Sequence, residues 1–329
     1  MFGFENTRSY MEDAVGEVMR NLICAVTLAL TCGAAAAADN PDWAYPVAPQ
    51  ATPPANPEQV FEVPGSTQKY TIKQINDAFG PPDWFPGDHP PMPHAVSNGT
   101  PPAARACALC HLPSGDGHPE SSAVAGLSAN YIVKQMTEFA NGGRKGLRAA
   151  TMVGIAKAIT EDDAKAAAAY FASLKVTPGY TKVVESAEVP KSVVGDGGMR
   201  FVAAAGGTEP IGSRIIELPV DETAARVRNP RVGFIAHVPP GSLAAGQALA
   251  TNGGGKTVPC TLCHGQGLKG LGDVPGLAGR SPMYIFRQLN DIKVGNRSGA
   301  SLALMKPVVD KLSDDDMIAL SGYVGSLQP

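Results

Sequence analysis

Apolar residues at helical spacing fall in four segments of this chain, arranged as two similar pairs. In the first pair, Ser128 is placed to cap a helix in which Tyr131, Ile132, Gln135, Met136 and Phe139 share one face, and Asn141-Gly142-Gly143 ends it. Thr160 then precedes a helix with Glu161, Asp162 and Asp163 in its first turn, where acids favour the helix dipole, and with Ala167, Tyr170, Phe171 and Leu174 inward. The second pair repeats this order. Ser281-Pro282 gives an N-cap followed by proline at the first helical position, and Ser313 with Asp314 to Asp316 opens a last helix carrying Leu320, Tyr323, Val324 and Leu327. Gly241 to Ala250 predicts one more helix ahead of the second pair. Between the pairs, Val/Ile-rich runs at Lys182 to Val184, Ile215 to Val220 and Val232 to Ile235 read as short strands or extended arms. The N-terminal region is Pro-rich instead, with Pro53-Pro54, Pro81-Pro82 and Pro90-Pro91. One short helix interrupts it, opened by the capping box Thr71-Ile72-Lys73-Gln74.

The two pairs are copies of one unit. Sliding the sequence by 153 residues lays 107–174 on 260–327 without a gap, and 22 of the 68 pairs are identical, among them Tyr131/Tyr284, Gln135/Gln288, Arg144/Arg297, Met152/Met305 and Tyr170/Tyr323. Each copy opens with the same chemistry, Cys107-Ala108-Leu109-Cys110-His111 and Cys260-Thr261-Leu262-Cys263-His264. C-x-x-C-H is the attachment signature of c-type haem: two thiols add across the vinyl groups and the histidine ligates iron. Cysteines at i and i+3 with histidine at i+4 meet one flat macrocycle because they share one face of a helical turn.

Histidine supplies one axial bond, and a six-coordinate electron-transfer centre needs a second. Register selects Met152 and Met305, each 41 residues beyond its histidine and in a loop before the last helix. A thioether favours ferrous iron and raises the potential, as an electron carrier requires. Met136, facing Leu289 in the other copy, reads as core. Arg144 and Arg297 are read either as partners of haem propionates or as solvated surface arginines. His89 and His94, beside prolines and without a thiol or carboxylate cluster, read as solvated loop histidines. Trp43, Trp84 and Phe85 read as anchors pinning the Pro-rich arm to the first unit, with partner docking as the alternative.

Composition narrows the setting. Aromatic residues make up 6% of the chain, few for two self-sufficient cores, and a haem supplies the missing apolar body. Net charge is −3, and subtracting residues 1–38 (four acids, two bases) leaves −1, so no basic field points to nucleic acid. Met19-Arg20-Asn21, the apolar run Leu22 to Leu30 and Ala36-Ala37-Ala38 read as an export signal, with Met19 as an alternative start; the 17 residues from Leu22 to Ala38 fall short of the ~20 strongly apolar residues of a membrane span. Of six cysteines, Cys24 and Cys32 lie in that signal and the other four are used by the two motifs.

On these motifs the chain resembles the class I cytochromes c, specifically the tandem-domain dihaem carriers called cytochrome c-four, over about 95–178 and 240–329. In that family a proline within P-x-L-x-G offers its carbonyl to the ligating imidazole. Pro275-Gly276-Leu277-Ala278-Gly279 matches, whereas Ser122-Ala123-Val124-Ala125-Gly126 has serine at the proline position, with only its main-chain carbonyl to offer. The resemblance implies a mainly α fold of two class I cytochrome c domains in tandem. The expected division is a signal peptide at 1–38, a Pro-rich arm at 39–90, domain 1 at 91–178, an irregular, short-strand connecting segment at 179–239 and domain 2 at 240–329. It implies two covalent haem c groups held by Cys107, Cys110, Cys260 and Cys263, with His111, Met152, His264 and Met305 on the irons. The expected function is periplasmic transfer of single electrons from a dehydrogenase or quinol-oxidising donor to a terminal acceptor, without bond chemistry of its own. The expected partners are redox proteins, met in solution or at a membrane complex. The runner-up is a cytochrome subunit of a larger dehydrogenase. An enzyme, either a dihaem peroxidase or a thiosulfate dehydrogenase, would need a haem with an open or differently ligated distal side.

Overall fold

The computed structural model describes residues 40–47 and 56–329. The export signal read at 1–38, with Cys24 and Cys32, and the stretch 48–55 of the arm lie outside them. In chain order the principal helices are α1 (Ala108–His111), α2 (Ala129–Ala140), α3 (Ala150–Ala158) and α4 (Glu161–Ser173) in the first repeat, then α5 (Ser242–Asn252), α6 (Thr261–His264), α7 (Pro282–Lys293), α8 (Lys306–Val309) and α9 (Asp314–Ser326) in the second. The four helices of the two pairs start at their expected caps. Ser128 Oγ accepts the Tyr131 amide, Thr160 Oγ1 the Asp163 amide and Ser281 Oγ the Tyr284 amide, all at 3.1 Å, while Ser313 and Asp316 form a reciprocal capping box.

The two repeats bury different amounts. In the second, Leu249, Leu268, Phe286, Met317, Ile318 and Val324 form a large core in which α5 crosses α9. Fully burying a side chain such as Phe286 stabilises by roughly 1.5–3 kcal/mol. Gly246 permits the crossing, because a Cβ there would lie 2.7 Å from both the Ala319 carbonyl carbon and Tyr323 Cβ. The first repeat has a smaller core of Ala95, Val96, Ala108, Ala167, Tyr170 and Phe171, and the helix packed across α4 is only the turn His94–Ser97.

The connecting segment is more regular than its sequence promises. Strands β1 (Thr181–Glu185), β2 (Ile216–Pro219) and β3 (Phe234–Val238) form one sheet, with β3 antiparallel to β2 and parallel to β1. The arm is anchored differently from expectation. Trp84 and Phe85 pack with Val63, Ile75 and Val227, and Trp84 Nε1 donates to the Val227 carbonyl at 2.8 Å, so they tie the arm to the connecting segment. Trp43 lies 4.5 Å from the Phe286 ring, in the second repeat rather than the first. An indole buries its large apolar surface wherever a core face is open, and the pattern of a Pro-rich stretch does not say which face that is.

Strand β2 also carries a buried acid. Glu217 is 2% exposed, accepts Ser281 Oγ at 2.8 Å and the Met283 amide at 3.2 Å, and thereby joins the sheet to the start of α7. Burial pushes its carboxyl up to about 7, against which the Ser281 and Met283 donors act. A carboxyl raised on folding contributes its full stability below the unfolded value and loses it as pH rises through the folded value. The window is therefore about pH 4.5 to 7, and the loss is on the order of 3 kcal/mol. Denaturant midpoints of the wild type should fall from pH 5 to pH 8, whereas Glu217→Gln, which keeps an acceptor but does not titrate, should be flatter and more stable at pH 8. Parallel profiles for the two proteins would refute this role.

Candidate functional site

Both C-x-x-C-H segments are single helical turns. Cys107 and Cys260 stand at the N-caps of α1 and α6 with right-handed helical dihedrals, so the two thiols and the imidazole of each motif project from one side. His111 Nδ1 donates to the Ser122 carbonyl at 2.8 Å and His264 Nδ1 to the Pro275 carbonyl at 2.9 Å. A carbonyl can only accept, so each Nδ1 carries the proton and each Nε2 keeps its lone pair free for a metal. Burial holds both imidazoles below the usual histidine range, partly countered by those carbonyls, and so favours the neutral form that ligates. The serine of the first loop thus presents its main-chain carbonyl at the same register as Pro275.

Three of the four thiols are held above the usual cysteine range. Burial pushes Cys107 up to about 12, and it raises Cys110 and Cys260 as well. The wall behind the first motif is aromatic: the His111 and Phe171 rings are 6.1 Å apart and edge-on, and Tyr170 Oη donates to the Pro113 carbonyl at 2.6 Å.

Expectation and structure differ over the methionine segments. Met152 lies in the first turn of α3, which packs against strand Ala104–Arg105 just before Cys107, instead of in a loop. Met305 is the N-cap of α8 after a single 3-10 turn and packs on the second core together with Cys260 and Leu277. Pro307 follows Met305 by two residues, whereas Gly154 holds that register in the first repeat. The helix can therefore begin earlier there, at Ala150.

Arg144 and Arg297 are 9% and 8% exposed, so they are not solvated arginines. They pair main chain to main chain and form a near-symmetric lattice between the repeats. Arg144 donates to Gln135, Gln288 and Tyr284, and Arg297 donates to Gln288, Gln135 and Tyr131, at 2.8–3.3 Å. Among the described residues neither guanidinium meets a carboxylate. Two buried cations held only by neutral acceptors are a donor set that haem carboxylates would satisfy. With paired thiols and neutral imidazoles beside them, the residues present fit covalently bound haem.

Two residues, Arg280 and Arg228, left no mark in the sequence, and His89 differs from its expectation. Arg280 is buried against carbonyls of both repeats, and its register partner is Leu127, so comparing the copies hides it. Arg228, from the connecting segment, donates to the Leu109 carbonyl at 2.7 Å and to the Ile75 carbonyl at 3.0 Å, laying arm and connecting segment against the first motif. His89, read as solvated, pairs with Asp83 at 3.1 Å and is largely buried. Among the described residues no group of three or more His, Cys, Asp or Glu side chains could hold a further metal, and no helix is long and apolar enough to cross a membrane.

Comparison with known proteins agrees with this chemistry. No protein-family model matches the sequence. The thiosulfate dehydrogenase electron acceptor of Thiomonas intermedia strain K12 is 28% identical over 232 residues, covering 69% of this chain and 80% of that one. Cytochrome c4 of Pseudomonas aeruginosa PAO1 is 24% identical over 246 residues, covering 72% of this chain and 92% of its own. Cytochrome c-554(548) of Halomonas halodenitrificans is 36% identical over 83 residues, which are 25% of this chain and 98% of that protein. The chain therefore belongs to the cytochrome c family, as a tandem, dihaem, cytochrome c4-like electron carrier with two covalently bound haem c groups, and it is not an enzyme.

Proposed function

We propose that this chain is an exported, periplasmic carrier that takes single electrons from a dehydrogenase and passes them to a terminal acceptor. In this reading Cys107, Cys110, Cys260 and Cys263 hold the haems, and His111 with Met152 and His264 with Met305 ligate the irons. The domains run over 91–178 and 240–329. The observation that carries the reading is the twin turn in which each imidazole is locked through Nδ1, leaving Nε2 for iron. Haem c supplies a one-electron ferric/ferrous couple. The polypeptide orients each imidazole and keeps it neutral, and the arginine lattice joins the two units.

A dehydrogenase as donor is favoured by the likeness to the Thiomonas intermedia protein, which is named as an electron acceptor of thiosulfate dehydrogenase. Residence as a subunit on such a dehydrogenase is the second reading, favoured by the same likeness. The two motifs differ in access. Leu109 is 6% exposed beneath arm and connecting segment, whereas Leu262, at the same register, is 69% exposed beside the exposed Cys263. Electron exchange with a protein donor accordingly runs through the second unit.

Stopped-flow mixing of the oxidised protein with a purified thiosulfate dehydrogenase should reduce both haems in a thiosulfate-dependent way, and Leu262→Lys should slow that reduction. Absence of thiosulfate-dependent reduction would overturn this donor class, and an unaffected Leu262→Lys protein would overturn the route.

A further inference from the structure

Arg280 immediately precedes the Ser281 cap of α7, yet its side chain is 6% exposed and reaches the imidazole-bearing loops of both repeats. Its Nε donates to the Gly276 carbonyl at 2.6 Å, next in sequence to Pro275, whose own carbonyl receives His264. Its Nη1 donates to the Ala123 carbonyl at 2.6 Å and its Nη2 to the Ala125 carbonyl at 3.0 Å. Those two residues follow Ser122, whose carbonyl receives His111. One guanidinium therefore grips the main chain beside both histidine acceptors.

Charged donors make the stronger hydrogen bonds, and the planar fork of arginine spreads its donors over carbonyls in separate loops, whereas the ammonium of lysine gathers its three donors at one nitrogen. All three acceptors are main-chain oxygens, so the contact fixes backbone rather than another side chain. The loops differ in how much they need this. Pro275 has its φ fixed by its ring, and Ser122 does not.

We infer that Arg280 is a positioning residue: it stands in for the missing proline of the first unit, holding the Ser122 carbonyl under His111 from across the domain boundary. The inference rests on His111 and His264 as axial ligands. It adds that the geometry of the first site depends on a side chain of the second domain, while the second site, with its own proline, depends on that side chain less.

The test is Arg280→Lys in the holoprotein, which keeps charge and a donor but not the fork. Proton NMR should show exchange of the His111 Nδ1 proton with solvent about tenfold faster, as expected for losing one or two hydrogen bonds that hold its acceptor. An NMR-monitored redox titration should show the first haem's potential displaced. The His264 proton and the second potential should stay where they are. Adding Ser122→Pro to Arg280→Lys should restore the first site. No acceleration at His111, equal changes at both sites, or no rescue by proline would each overturn the inference.

If Arg280→Lys does not mature, the wild type decides. Its His111 Nδ1 proton should exchange as slowly as that of His264, within about threefold, although its loop lacks proline. A first-site proton more than about tenfold faster would overturn the inference. Failure of the ligand assignment looks different, because a wild-type haem would then be missing or high-spin, whereas failure of the inference leaves both haems low-spin.

Discussion

Replacing Met305 with alanine should remove one of two near-infrared sulfur-to-iron bands, lower one midpoint potential by on the order of 0.1 V and let half of the haem bind carbon monoxide. The direction follows from the ligand: a thioether stabilises ferrous iron, and choice of axial ligands spans about 0.8 V across haem proteins. The size is large because residues 240–329 hold no histidine besides His264 and their other methionines are core residues. Met305, at the start of α8, packs on the same core as Cys260 and Leu277, and the buried methionines there, Met283 and Met317, belong to the hydrophobic interior of α7 and α9. Met152→Ala should give the mirror result in the first repeat. If Met136→Ala rather than Met152→Ala opens the first site, or if the wild type already binds carbon monoxide, the assignment of both methionines fails.

A second large effect is expected at Gly246. In an exposed helix, glycine to alanine stabilises by about 1 kcal/mol. Here the added Cβ would press on the Ala319 carbonyl of α9 and lie 2.7 Å from Tyr323 Cβ, so even Gly246→Ala should destabilise. Gly246→Val adds two further methyl groups at a place where the obstruction is backbone and cannot swing aside. Overpacking costs about 1–3 kcal/mol, occasionally more, and an obstruction made of backbone puts Gly246→Val at about 3 kcal/mol, a large share of the roughly 5–15 kcal/mol that holds an ordinary domain together. Guanidinium unfolding should show the second repeat losing that amount, and the mature protein should carry less haem there by mass spectrometry. Gln247→Ala, on the exposed side of the same helix, is the control and should change neither. A Gly246→Val protein with an unshifted midpoint would mean that α5 and α9 do not approach as closely as described.

Caps, periodicity and the repeat made the helices legible. Ser128, Thr160, Ser281 and Ser313 satisfy amides that any helix leaves open, and that requirement is local. The motif turns were legible for the same reason, since i, i+3 and i+4 share a face whatever surrounds them. The destination of the arm was not, because Trp43 meets Phe286 across more than two hundred residues of sequence and no local pattern records that contact. The interface between the repeats was half visible. Tyr131/Tyr284, Gln135/Gln288 and Arg144/Arg297 stand out as identities, yet identity between copies does not distinguish residues that serve each haem from residues that hold the copies together. A near-two-fold interface imposes the same residue twice, and the hydrogen-bond lattice reveals that cause. Arg280 and Arg228 act once each, outside the symmetry, and so left no trace in the repeat.

Potentiometric titration of the wild-type protein with optical detection tests the central claim most directly. With the histidine and methionine ligands proposed above, a first motif covered by arm and connecting segment and braced at Ser122, and a second motif with exposed Leu262 and braced at Pro275, predict two resolved one-electron waves. Both should lie in the high-potential range that a thioether ligand gives, and together they should account for two electrons per chain. A single wave would mean that the different surroundings of the two motifs do not reach the irons. One wave at the low potential of a haem without a sulfur ligand would contradict the paired assignment of Met152 and Met305.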